Sequence, residues 1–208
     1  ENNSNKKIFK GIYTLEDLLT YYPRRYEDRR LVKSIDSLVD GEESLIEVVA
    51  VNNVSTARLR KNMTLSRLTV RDESGMCLIT WFNQPYLKSK FEIGKKYRFY
   101  GKVEYQYGKF GMTSPVFDEI ENTNNTGKII PIYPLTFNLT QNNLRKIIEN
   151  GLEKIKENGG LQETMPQYIL NEYKLEEINE ATNSIHFPKE FEDFKKARKR
   201  LVDRKSVV

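Results

Sequence analysis

"MTLSRLTVRDESGMCLITWFNQPYLKSKF", residues 63–91, is the stretch on which the fold turns. In its first part Leu68 and Val70 alternate with Arg67, Thr69 and Arg71. Successive strand residues point to opposite faces, so this run presents one apolar and one basic face. "DESG" at 72–75 is a tight-turn signal, and "MCLITWF" reads as the returning strand. Pro85 then breaks the pattern and opens about two helical turns. The returning strand ends on Trp81 and Phe82, two large aromatics side by side. Ile79 and Trp81 share one face, and Thr80 and Phe82 the other, so only one of the pair can enter a core. With Trp81 as the core member beside Leu68 and Val70, Phe82 is left outside and Tyr86 follows about one helical turn on. The spacing alone is equally compatible with both rings packing on the following helix.

Outward from this hairpin, "SLIEVVAVNNVSTAR" at 44–58 is rich in β-branched residues and predicts one long strand. "KKYRFYGKVEYQ" sets Tyr97, Phe99 and Val103 against Arg98, Tyr100 and Lys102, which adds Phe99 and Val103 to the predicted core. "YGK" at 107–109 is a second hairpin signal and leads into "KFGMTSPVF". Three strands, a short helix and two strands form the element order of an OB-fold, a five-stranded antiparallel, partly open barrel. Small antiparallel sandwiches of other topology share that order.

The flanks are helical. "YTLEDLLTYY" starts with Thr14 as N-cap and Asp17 three residues on, and Pro23 ends it. "RRYEDR" reads as an exposed, charged connector. "ENTNNTGK" is a polar linker, and the two prolines of "IIPIYPLTFN" forbid helix. "LTQNNLRKIIENGLEKIKENGG" is a strong helix capped by Thr140, with Leu144, Ile147, Ile148, Leu152 and Ile155 as its apolar stripe. "MPQYILNEYKL" and "FPKEFEDFKKARKRL" supply further helices. The class expected is mostly β with flanking α. An N-terminal helix and basic connector cover 1–42, a five-stranded antiparallel OB-fold barrel covers 43–120, and a linker and helical segment cover 121–202. Residues 203–208 read as a tail foreign to the pattern.

Composition narrows the chemistry. None of the apolar runs in the 208 residues approaches the roughly 18 needed to span a bilayer, so no membrane association is expected. The single cysteine, Cys77, excludes an internal disulfide and suits a reducing cytoplasm. With His186 as the one histidine, a zinc site is not expected. The chain lacks a G-x-x-x-x-G-K-[ST] phosphate loop, a G-x-S-x-G elbow and an HExxH pair. Carboxylates such as those of "EDL" and "DES" sit where helix caps and turns explain them. Neither a catalytic residue, a metal ligand nor a cofactor is expected from this stretch. The net charge of +5 matters less than where the charge falls. Arg58, Arg60, Lys61, Arg67, Arg71, Lys88, Arg98 and Lys102, with Asn83, share a segment with the exposed aromatics. Nucleic acid offers phosphates to pair and bases to stack, so these residues are candidate backbone contacts beside Phe82 and Tyr86.

"YTLEDLLTYYPRRYEDR", "VRDESGMCLITWFNQPYL", "IIPIYPLTFNLTQNNLRKII" and "NSIHFPKEFEDFKKARKRL" together resemble, in this order, the amino-terminal region of the RecG family of bacterial ATP-dependent helicases for branched DNA. The resemblance implies a wedge domain with an OB-fold that binds forks and junctions in replication fork reversal, recombination and repair. It implies that Phe82 and Tyr86, in "WFNQ-x-Y", stack on bases at the branch point. It implies motor domains elsewhere that use ATP and magnesium, and a monomer in the bacterial cytoplasm at the nucleoid. A "GVGPK"-like stretch usual before the first helix is not seen in "ENNSNKKIFKG", which reads as a trimmed amino terminus. The residues leave two other functions open: an OB-fold module for single-stranded DNA or RNA, and one whose aromatics anchor a partner protein.

Overall fold

The computed structural model describes residues 12–60, 62–135 and 139–201. Its elements in chain order are α1 (Leu15–Leu19), β1 (Arg25–Asp28), β2 (Val32–Lys33), β3 (Glu43–Ala50), β4 (Ser55–Arg60), β5 (Met63–Arg71), β6 (Met76–Phe82), β7 (Lys96–Gln106), β8 (Lys109–Thr113), β9 (Val116–Glu119), β10 (Ile129–Ile132), α2 (Gln141–Glu157), α3 (Gln167–Tyr173), α4 (Ile178–His186) and α5 (Phe191–Leu201). Short 3-10 helices stand at Ile35–Ser37 and Pro85–Ser89. The chain is mostly β with flanking helices. It divides into two compact units, Asp28–Lys128 on one side and Glu1–Glu27 with Ile129–Val208 on the other. Residues 1–11 and 202–208, which include the 203–208 tail, lie outside the described residues.

Among the described residues of the Asp28–Lys128 unit, strands β2 to β9 make one eight-stranded sheet. Its pairings run β3–β5–β6–β8–β7 and return from β7 to β3. The five-stranded antiparallel expectation is corrected in number and in direction. β2 pairs with β3 and β6 pairs with β8 in parallel. The predicted first strand breaks between β3 and β4 because the Asn52 side chain intervenes, its Oδ1 accepting from the Thr69 N–H at 2.9 Å. The predicted last strand divides at Ser114 and Pro115, where Ser114 has a φ of +52° and proline has no N–H for a ladder. Leu68, Val70, Trp81, Phe99 and Val103 lie in one buried cluster with Ile46 and Ile79.

The unit is wider than 43–120 because its flanks fold onto it. Ile35 enters the core, and Asn125 and Thr126 hydrogen-bond the buried Asp118 carboxylate. The "RRYEDR" stretch is not a solvated connector. Residues 25–28 form β1, which pairs with β10, and Arg29 is buried with its guanidinium 4.4 Å from the Tyr100 ring centre and donating to the Asn125 carbonyl. Arg25 pairs locally with Glu27 at 2.7 Å, whereas Arg29 is held by Tyr100 and the Asn125 carbonyl, far along the chain, and the local sequence carries no sign of them.

In the other unit, α1 has the full Thr14/Asp17 capping box, and Thr140 caps α2 through the Asn143 N–H. α4 is the helix that sequence reading missed. "INEATNSIH" has weak helix formers, and Ala181 and Ile185 are held instead by packing with Ala197 of α5. His186 is fully buried, its Nδ1 2.9 Å from the Tyr133 hydroxyl and its Nε2 2.9 Å from the Leu19 carbonyl. A carbonyl can only accept, so Nε2 carries the proton and Nδ1 accepts from Tyr133. Burial pushes the imidazole down to about 4 from the usual 6.5, against the opposing pull of the Leu19 carbonyl. The unfolded chain therefore takes up a proton that the folded unit refuses. Stability is expected to be fully present above about pH 6.5 and to fall progressively towards about pH 4. Urea unfolding across that range checks this; a His186→Asn variant should start lower and show a flatter profile.

Candidate nucleic-acid interface

The hairpin of β5 and β6 sets Leu65 opposite Phe82, Ser66 opposite Trp81 and Arg67 opposite Thr80. The odd residues of β6 up to Trp81 therefore face the core, and the even ones face out. Trp81 is 1% exposed, with Phe91, Phe99 and Phe117 ring centres 5.4, 6.1 and 6.4 Å away. Its indole N–H donates to the Pro115 carbonyl at 3.4 Å. Phe82 is 38% exposed at the strand's end. Asn83 holds it there. With a φ of +55°, tolerable for Asn, its N–H donates to the Thr64 carbonyl at 2.9 Å and its Oδ1 accepts from the Thr64 N–H at 3.0 Å. The amide oxygen of Asn83, a candidate nucleic-acid contact by sequence, is engaged in closing the hairpin. Tyr86, on the following 3-10 helix, is 63% exposed, and its hydroxyl donates to Gln84 Oε1 at 3.0 Å.

Phe82 opens onto a groove of about 470 Å³ across the outer face of β5, β6 and β8. Leu65, Leu78, Thr80 and Thr113 form its floor, Leu59 of β4 lies on one side, and Tyr107 of the β7–β8 turn lies on the other. Gly111 keeps the floor low, since a Cβ there would meet the Leu78 carbonyl oxygen at 3.1 Å. Arg67 lines the same groove, exposed and, among the described residues, without an ion-pair partner. A floor of leucines and threonines, one exposed ring and the Arg67 guanidinium suit a stacked, anionic ligand.

The other basic candidates scatter. Arg58 is exposed on β4 opposite Thr64, Arg60 follows on the same strand, and Lys61 lies outside the described residues. Arg71 lines a separate cleft of about 700 Å³ with Lys33, Asp36, Glu73 and Lys96. Arg98 is not a free cation. It pairs across the β3–β7 ladder with Glu47 at 3.1 Å. Lys102 is exposed opposite Glu43, and Lys88 is exposed on the Pro85–Ser89 helix. The groove thus gathers Phe82 and Arg67 but neither Arg71 nor Arg98. Leu59, Thr113, Tyr107 and Lys109 line it without having been singled out. The one sequence signal for any of them was the "YGK" turn.

A family profile described as the RecG wedge domain matches residues 2–155. The ATP-dependent DNA helicase RecG of Thermotoga maritima is 34% identical over 96% of this chain and 26% of its own length. That of Streptococcus pneumoniae is 31% identical over 92% of this chain and 27% of its own. The chain therefore spans about a quarter of the curated relatives it matches. The solved structure of RecG bound to a three-way DNA junction is similar with a TM-score of 0.81 and 34% identity, over 92% of this chain and 26% of that one. Among the described residues, no helix is long and apolar enough to cross a membrane.

Proposed function

The chain belongs to the RecG wedge domain family, and from that premise we propose that it is the branched-DNA-binding wedge of a RecG-type ATP-dependent helicase acting in fork reversal, recombination and repair. One observation carries the mechanism: β6 buries Trp81 and presents Phe82 at the mouth of a groove that also holds Arg67. In this reading the phosphates are held without regard to sequence, Phe82 and Tyr86 stack on the bases where the arms part, and ATP is used outside this chain. The ring of strand pairings, β3–β5–β6–β8–β7 and back, supports an OB-type barrel as the frame. A competition experiment tests it. A labelled three-way junction should be displaced better by unlabelled junction than by single strands of equal length; the reverse order would favour a general single-strand module.

Junction affinity is expected to fall steeply with salt as bound cations leave the phosphates. Arg67→Ala should weaken binding to all sequences about equally and lower the log–log salt slope by about 1. Arg98→Ala should leave that slope unchanged, because Glu47 already neutralises Arg98. Titration at several salt concentrations measures both. A slope lost with Arg98 and kept without Arg67 would move the phosphate track to the β3–β7 face.

A further inference from the structure

Tyr107 occupies a backbone position that its residue type disfavours. The turn between Gln106 and Lys109 has Tyr107 and Gly108 at its centre, with φ of +51° and +76°. Positive φ at both residues is what a type I′ hairpin turn needs, and Asn, Asp or Gly ordinarily takes the first place. A bulky side chain there is strained. Packing does not offset the strain, because Tyr107 is 99% exposed. Strain held with no gain in packing points towards function.

The place of the turn says which function. β6 and β8 run parallel, with Cys77 beside Phe110 and Thr80 beside Thr113. The turn therefore stands at the Met76 end of the groove and Phe82 at the other, about 20 Å apart along six strand residues. Between them lie Arg67 and, next to the turn, Lys109, neither with an ion-pair partner among the described residues. The one carboxylate on the lining, Glu104, accepts from the Thr113 hydroxyl at 3.1 Å. Beneath the turn Tyr105 packs on Phe110, ring centres 4.8 Å apart, which braces it.

We infer that Tyr107 is a second stacking platform on this groove, which makes the groove a track for a single-stranded arm that leaves the branch past Phe82. The inference rests on the junction-binding reading above. Rings at both ends and cations between them are the arrangement by which single strands are held without sequence preference, and OB-type folds hold about 4 to 16 nucleotides this way.

The test uses the whole chain and two labelled three-way junctions, one with duplex arms throughout and one with a single-stranded arm. Tyr107→Asn places Asn-Gly in the turn, which that turn prefers, so the variant should melt no earlier than the parent. It should bind the all-duplex junction as the parent does and the single-strand-armed junction roughly five-fold or more weakly, with Tyr107→Phe unchanged. Equal binding of the armed junction by Tyr107→Asn and the parent overturns the inference. If Phe82→Ala still weakens the junction in that case, the wedge reading stands without the track. If Phe82→Ala is silent and Tyr107→Asn loses only the single-stranded arm, the track stands and stacking at the branch fails.

Discussion

Replacing Phe82 by alanine is expected to weaken binding of a three-way junction by roughly 5- to 150-fold, with little change for plain duplex DNA. The range follows from base–aromatic stacking, typically worth about 1–3 kcal/mol per base by alanine substitution. Duplex affinity is spared because its phosphate contacts do not need the ring. The loss should appear without unfolding, since Phe82 sits on the outer face, 38% exposed, and its neighbour Asn83 still closes the hairpin. Tyr86→Ala should act in the same direction more mildly. Tyr86→Phe should be nearly silent, as among the described residues the hydroxyl bonds to the Gln84 side chain. Anisotropy titrations of junction and duplex, beside a melting curve, decide the matter. Wild-type junction affinity in Phe82→Ala would remove stacking from the mechanism.

Trp81→Ala is expected to do the opposite, costing stability on the order of 3–5 kcal/mol. The indole is surrounded by Phe91, Phe99 and Phe117, and its N–H is bonded to Pro115. Removal leaves a cavity that those rigid rings cannot close, and the Pro115 carbonyl loses its donor. At roughly 4–8 °C per kcal/mol for a domain of this size, the melting temperature should fall by on the order of 15 °C or more. Trp81→Phe, which keeps most of the ring contact, should lie between. At temperatures where Trp81→Ala is still folded, its junction affinity should be close to normal. A variant that melts normally but fails to bind would mean that the indole, not Phe82, meets the DNA.

Adjacent residues made this pair of predictions, and they show what was legible in the chain. Period-two alternation stated that Trp81 and Phe82 face opposite ways, and the Thr14/Asp17 box, the 72–75 turn and the Thr140 cap were equally plain. Each of these depends on residues within about four positions of one another, so the order of letters carries it. Which face is the core is a different kind of fact. It depends on Phe91 arriving from the loop before β7, Phe99 from β7 and Phe117 from β9. The same holds for Arg98, which sequence reading offered to DNA and the fold gives to Glu47, 51 residues away. It holds for Arg29, buried on Tyr100, and for the groove, assembled when β8 comes to lie parallel to β6. The sequence by itself determined the central hairpin with its turn, the helix caps and the supply of basic and aromatic side chains. Only the tertiary structure decided which cations remain unpaired and which ring is left outside, because a charge is neutralised and a ring buried by neighbours distant along the chain.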